Sequence, residues 1–217
     1  MNAPVWLVVV LYKPREQVLR QWQKIKKVYP TVFIDNTVNN IGYAAGANEG
    51  GRKAFAQGVQ WVLLLNQDVV LNAATLDELT KKIRGVAPSV IGPFAGTLDT
   101  KRWTTIYPGK VVDYLSGSCL LIHKHVFEKL NGFYEPYFMY YEDVDFCIRA
   151  KRKGFPIRYV SISGIMHKDK KNTGVLLEQQ RYYLARNHLL FVWRLAPWHV
   201  KLYELLRLPK TLYEYWH

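Results

Sequence analysis

The stretch LLLNQDVVLN, residues 63–72, constrains the fold more than any other part of the chain. Residues 62–65 are all apolar, the pattern of a strand buried on both faces. They run directly into Asn66, Gln67 and Asp68. A carboxylate at the end of a buried strand is costly unless something pairs with it. In open α/β sheets the carboxyl ends of strands are where ligands are held. The pattern also opens the chain. Val5–Leu11 reads as a buried strand, and TVFIDN as a second one ending on Asp35. Between them Val18, Trp22, Ile25 and Tyr29 form a helical stripe that Pro30 stops. Strand, helix and strand, each ending in polar residues, predict an α/β fold that begins with a nucleotide-binding half. Either Asp35 or Asp68 alone reads equally well as a turn cap. The pair at corresponding strand ends favours a site.

Further along, Gly42, Gly46 and Gly50 recur every four residues within IGYAAGANEGG. That spacing puts small residues on one helix face, for close packing or for close approach of a flat ligand. It is neither the dinucleotide fingerprint nor the phosphate-binding loop. Asn40 and Asn48 add amides able to read a base or a sugar. Thr75 and Glu78 predict a capping box for a helix around Leu76, Leu79 and Ile83. SVIGPF and residues 97–107 read as strand and hairpin, SGSCLLI as a buried strand, and a short helix follows through His125 and Leu130. In YYEDVDFCIRAKRKG, Glu142 and Asp143 fall in the first turn of a helix that Gly154 ends. There they suit the helix dipole. Five aromatics upstream (Phe133, Tyr134, Tyr137, Phe138, Tyr140) also make them candidates for a general base working on a sugar hydroxyl. Asp145 stands four residues before Arg149, the spacing of an ordinary helix ion pair. PIRYVSISGIMH predicts one last strand ending on His167, which is either structural or a metal ligand delivered to the sheet edge. The tail after residue 174 reads as helical, basic and aromatic.

The formal net charge of +13 calls for an anionic partner: nucleotide phosphates, an anionic membrane or nucleic acid. Cys119 and Cys147 lie in apolar patterns without metal spacing, which predicts buried thiols in a reducing cytoplasm. The apolar run after MNAP lacks a basic lead and is far shorter than the about 20 residues a membrane span needs. A soluble, cytoplasmic chain is expected.

Taken in order, VVVLYKP, IDNT, NNIGYAAGANEG, VLLLNQDV, YLSGSCLLI, NGFYEPYFMYYEDVDFCIRAKRKG and IMH resemble glycosyltransferase family 2, and within it the compact bacterial rhamnosyltransferase-like branch. The resemblance implies a GT-A fold over residues 1–174: a nucleotide-sugar half to about residue 95, an acceptor half after it, and a helical segment at 175–217. It implies an inverting sugar transferase in bacterial surface polysaccharide synthesis. Its donor would be a dTDP- or UDP-linked sugar, rhamnose first, with Mn²⁺ or Mg²⁺, and its acceptor a glycan or lipid-linked glycan. Residue by residue it implies that Tyr12 and Asp35 contact the base. Asn40, Gly46 and Asn48 line the nucleotide site, with Asn66 and Gln67 beside the metal position. Asp68 and His167 bind the metal, and Asp143 is the base with Glu142 next to it. The chain departs from the family at Lys13, where a small polar residue is common, at Gln67, and at Tyr134, where Asp is common; its metal motif holds one carboxylate. Two other readings stay open: a nucleotidyltransferase on a similar fold, and a non-catalytic basic module that binds membrane or nucleic acid. No nucleic-acid recognition motif supports the latter. In the tail, Arg181, Arg186, Arg194, Lys201, Arg207 and Lys210 face only Glu204 and Glu214, among Trp193, Trp198 and Trp216. That mixture predicts peripheral attachment to the cytoplasmic face of an anionic inner membrane. Packing on the core or on a second copy, as a homodimer, is the alternative.

Overall fold

The computed structural model describes residues 5–107, 111–167 and 175–216. In chain order the elements are β1 (Val5–Leu11), α1 (Glu16–Lys26), β2 (Thr31–Asp35), α2 (Tyr43–Phe55), β3 (Trp61–Asn66), β4 (Val69–Val70), α3 (Ala73–Lys81) and β5 (Val90–Gly92). Next come β6 (Ala95–Leu98), β7 (Thr105–Ile106), β8 (Tyr114–Leu115), β9 (Cys119–His123), α4 (Lys124–Leu130), α5 (Glu142–Arg152), β10 (Ile157–Tyr159) and β11 (Met166–His167). Three helices close the chain: α6 (Val175–Leu195), α7 (Trp198–Leu206) and α8 (Leu208–Trp216).

Six strands form a mixed sheet in the order β10-β5-β9-β3-β1-β2. Each central strand serves two cores through the alternation of its side chains. Val8, Val10, Val62 and Leu64 face α2, α4 and α5 on one side, while Leu7, Val9, Leu63 and Leu65 face α1 and α3 on the other. That is why these runs are apolar at every position. The glycine face of α2 lies on β1. A Cβ at Gly50 would stand 2.3 Å from Val8 Cγ1, and one at Gly46 3.0 Å from Val10 Cγ1. Close helix packing is therefore what these two glycines provide, and Gly46 is turned to Val10 and Asn36.

One topological detail builds the site. β9 runs antiparallel between β3 and β5, with Leu65 opposite Cys119. Its entry turn, Ser116 to Ser118, therefore meets the carboxyl end of β3, where Asn66 N–H donates to Ser118 O at 2.9 Å.

Two local expectations are corrected. PIRYVSISGIMH is two strands. β10 extends the main sheet beside β5, whereas β11 pairs antiparallel with β4 in a sheet of its own. Gly164 at φ +71° lies in the turn between them. Helix α3 starts one turn earlier than Thr75 and Glu78 suggest. Asn72 is its N-cap, and its Oδ1 accepts from Thr75 N–H at 2.9 Å. Asn outranks Thr as a cap, so it takes the position.

Candidate active site

The carboxyl ends of β1, β2 and β3 lie side by side, with Leu11 opposite Asp35 and Val10 opposite Asn66. Gln67 ties two of these ends together. Its Nε2 donates to Tyr12 O and its Oε1 accepts from Tyr12 N–H, both at 3.0 Å. Trp22 Nε1 donates to Gln67 O at 3.0 Å. The amide thus continues the β1–β3 pairing by one rung and fixes the turn that carries Asp68. An acid at this position would leave Tyr12 O without its donor, and a proline would leave both Tyr12 backbone groups without that partner. On the far side of the turn, β4 pairs with β11, which sets the backbone of His167 opposite Val69, the residue after Asp68.

Asx turns order the loop that enters α2. Asp35 Oδ1 accepts from Thr37 N–H at 2.8 Å, and hydrogen bonds from Thr37 hold its carboxyl below the ordinary range. Asn40 Oδ1 accepts from Gly42 N–H at 3.0 Å. Asn48 is used differently. Its Oδ1 accepts from Phe133 N–H at 2.7 Å, and its Nδ2 donates to Phe133 O and Glu135 Oε1, both at 2.9 Å. Where a nucleotide contact was expected, the buried amide instead holds α2 to the aromatic loop before α5.

That loop is under backbone strain. Phe138, Tyr140 and Tyr141 have φ of +66°, +65° and +71°. For residues with a Cβ such a conformation costs on the order of 1 kcal/mol each. It delivers Glu142 and Asp143 to the start of α5, facing the β9 turn. Gly117 N–H donates to Asp143 Oδ2 at 2.6 Å and Val144 N–H to Oδ1 at 2.8 Å. Gly117 O in turn accepts from the Tyr43 hydroxyl at 2.7 Å. Glu142 is buried beside Asp143, and its Oε2 has no hydrogen-bond partner. The same is true of Asn66 Oδ1. Both residues line a cavity of about 430 Å³ with Tyr43, Gly117, Tyr140 and Asp143. A second cavity, about 640 Å³, holds Tyr12, Asn40, Phe138 and the first turns of α6. Met139 and Tyr140 line both.

Burial pushes both carboxyls of the pair up, and Asp143 raises Glu142 further; the N–H groups of Gly117 and Val144 offset part of the rise at Asp143. The Tyr43 phenol is also pushed well up, by burial first and then by Glu142, Asp143, Cys119 and Asp68. Three acids therefore act on one phenol.

Three features of the site were missed in the sequence. Tyr43 and Gly117 lie inside two of the motifs quoted above but were given no role of their own, and they meet through the antiparallel insertion of β9. Asp145, expected in an ordinary helix ion pair, is fully buried. It bonds Arg149 Nε, receives Arg194 Nε at 3.2 Å, and accepts from the Tyr137 hydroxyl at 3.1 Å. The available signal was a third acid, set between Val144 and Phe146 in the buried part of α5.

With the geometry in place, the chain can be compared with known proteins. No protein-family model matches it. It is 26% identical to the low-salt glycan biosynthesis hexosyltransferase Agl10 of Haloferax volcanii, over 84% of this chain and 75% of that protein. It is 29% identical to the N-acetylglucosaminyl-diphospho-decaprenol L-rhamnosyltransferase of Mycobacterium tuberculosis, over 67% of this chain and 62% of that one. Among solved structures, the mannosyltransferase PcManGT of Pyrobaculum calidifontis, in complex with GDP-Man and Mn²⁺, superposes with a TM-score of 0.59. That match covers 99% of this chain and 73% of the other, at 13% identity. The fold is that of the GT-A glycosyltransferases. Its curated relatives are hexosyl- and rhamnosyltransferases.

The acid pair of this GT-A chain makes a direct prediction. Carboxyls raised by folding contribute stability that is fully present below their unfolded pKa and is lost as pH rises through the folded value. The metal-free protein should therefore lose stability as pH climbs above the ordinary carboxylate range. Glu142→Gln, which removes one buried charge, should flatten that decline. Thermal melts across this range check it; parallel curves for the two proteins would contradict the charge assignment.

Proposed function

We propose that the chain is an inverting glycosyltransferase that moves a sugar from a nucleoside diphosphate donor to a hydroxyl of a glycan or lipid-linked glycan. One observation carries the reading. Asp143 is held by backbone N–H groups on the wall of a cavity that shares Met139 and Tyr140 with a second, larger one. Two carboxylates buried side by side at a cavity wall give the raised basicity that a general base uses.

In this reading the nucleotide occupies the larger cavity against Tyr12 and Asn40, with Asp35 near its base. Asn66 and Gln67 flank the metal position, Gln67 by fixing the turn. The acceptor enters the smaller cavity. Its oxygen attacks the anomeric carbon from the face opposite the diphosphate, its proton passes to Asp143, and the electron pair of the breaking C–O bond leaves with the diphosphate. A positioned carboxylate contributes about 10²- to 10⁴-fold. One direct displacement inverts the anomeric centre. Glu142, whose carboxyl is pushed up by burial and by Asp143, presents an oxygen to the acceptor.

The donor set suits a divalent cation. Asp68 lies on the turn before β4, and β11 brings the backbone of His167 beside it. Among the described residues no group of three or more His, Cys, Asp or Glu forms a full metal cage. One carboxylate completed by substrate phosphates and water is how Mg²⁺ is commonly held, and Mn²⁺ accepts similar ligands. Asp68 and His167 would hold it, and when bound it supplies positive charge against the departing diphosphate. dTDP and UDP are the expected nucleotides, with rhamnose the first sugar to try.

The tail adds a surface. Glu204 and Glu214 both pair with Arg102, at 2.7 and 2.9 Å, which neutralises these two acids, Glu204 buried and Glu214 exposed. Trp193, Trp198, Leu202, Leu205, Leu206 and Tyr213 are left exposed, near Lys201 and Lys210. No helix among the described residues is long and apolar enough to cross a membrane. We read this face as a peripheral attachment to anionic lipid, on the side where the nucleotide sugar is available.

Calorimetry tests the donor site. UDP or dTDP should bind wild type more tightly with Mn²⁺, and Asp68→Ala should weaken that binding at least about tenfold, 1.4 kcal/mol. Failure of UDP, dTDP and GDP to bind with metal would remove the donor from the account. For the tail, the protein should sediment with phosphatidylglycerol vesicles and lose most of that binding in Trp198→Ala/Leu206→Ser. Vesicle binding unchanged by the double substitution would rule this face out.

A further inference from the structure

We propose that Asn187, on the tail helix α6, is a positioning residue for the catalytic loop. Asn187 is fully buried, and its Nδ2 lies 2.9 Å from Tyr137 O, 2.6 Å from Met139 O and 2.9 Å from Tyr140 O. An amide carries two hydrogens, so three carbonyls share them. The preceding residue completes the clamp. Arg186 Nη1 donates to Asn187 Oδ1 at 2.7 Å and to Pro136 O at 2.9 Å. Four carbonyls from residues 136–140 thus converge on two adjacent side chains some fifty positions away.

The loop needs such a clamp. Three of its residues with side chains sit at positive φ, a state that persists only where surrounding structure over-determines it. Its backbone also sets the next element, since Tyr141 O accepts from Asp145 N–H at 2.9 Å in the first turn of α5. Phe138, Met139 and Tyr140 form walls of the larger cavity, while Glu142 and Asp143 follow directly. Loss of the clamp lets the strained residues relax, which widens the nucleotide cavity and shifts the acid pair from Gly117. The tail helix is in this sense part of the active site, although Asn187 touches neither reacting group. The inference rests on the donor and acid assignments proposed above for its consequence, but not for the clamp itself.

Two variants and one control test it. Asn187→Asp keeps the shape and sets an acceptor against three carbonyls; Asn187→Ala removes the donor without adding charge and serves if the first does not fold. Val192→Ala truncates a buried side chain on the same helix, away from the loop. Native-state hydrogen exchange of peptides spanning residues 137–145 should accelerate at least about tenfold in the Asn187 variants. Their affinity for UDP or dTDP with Mn²⁺ should fall by a similar factor. Val192→Ala should lower Tm and leave both readouts at wild-type values. Loop exchange at the wild-type rate in Asn187→Ala overturns the proposal, as does faster exchange with unchanged nucleotide affinity. If wild type binds no nucleotide, the donor assignment fails on its own, and the exchange rates decide the clamp.

Discussion

The close approach of α2 to β1 is the contact on which the site depends. Val8 and Val10 occupy the space that side chains at Gly50 and Gly46 would fill, so the helix lies against the sheet with its amino end at the carboxyl ends of β1 and β2. From there Tyr43 reaches Gly117 and Ala44 N–H reaches Phe138 O at 3.1 Å. Midway along, Asn48 holds Phe133 and Glu135. One helix therefore spans the sheet edge, the β9 turn and the aromatic loop. Overpacked core contacts cost about 1–3 kcal/mol in general, but here the displacement would also carry every group that faces Asp143.

Charge is arranged to match. In the acid pair, Asp143 is met by backbone N–H groups and Glu142 Oε2 has no partner, whereas Asp145, two residues on, is buried among arginine donors. Arg149 bonds it and also donates to Leu130 O and Gly132 O at 2.7 and 2.9 Å, and Arg194 approaches it from α6. Removing one partner of a buried ion pair generally costs about 3–5 kcal/mol. Two acids on one helix turn thus meet different surroundings: Asp145 is paired with arginines that fasten α5 to α6, and Asp143 faces the cavity, held by backbone N–H groups. The tail helix meets the core at both places, at Arg194 and at the Arg186–Asn187 pair.

Much of this was legible in the chain. The all-apolar strands with polar ends announced a two-sided α/β sheet, the four-residue glycine spacing offered tight helix packing as one of two readings, and the position of Glu142 and Asp143 at a helix start was readable from the run that Gly154 ends. What escaped depends on long-range partners. Met166 and His167 were joined to the strand before them because nothing local shows that β4 offers a free edge. Asn48 looked like a ligand contact because its true partner lies 85 residues away. Gln67 looked like an oddity until its pairing with Tyr12, 55 residues back, came into view. Asn72 is a lesson of another kind, since the stronger cap stood three residues before the expected one.

The central claim is that Asp143 takes the proton of the incoming hydroxyl while other groups hold the donor. Nucleoside diphosphate release from dTDP- and UDP-sugars in the presence of Mn²⁺ and candidate acceptor glycans, compared between wild type and Asp143→Asn, tests it most directly. The account predicts a rate at least about 10²-fold lower in the variant with donor affinity unchanged. A variant that turns over at the wild-type rate would show that the proton goes elsewhere and would contradict the account.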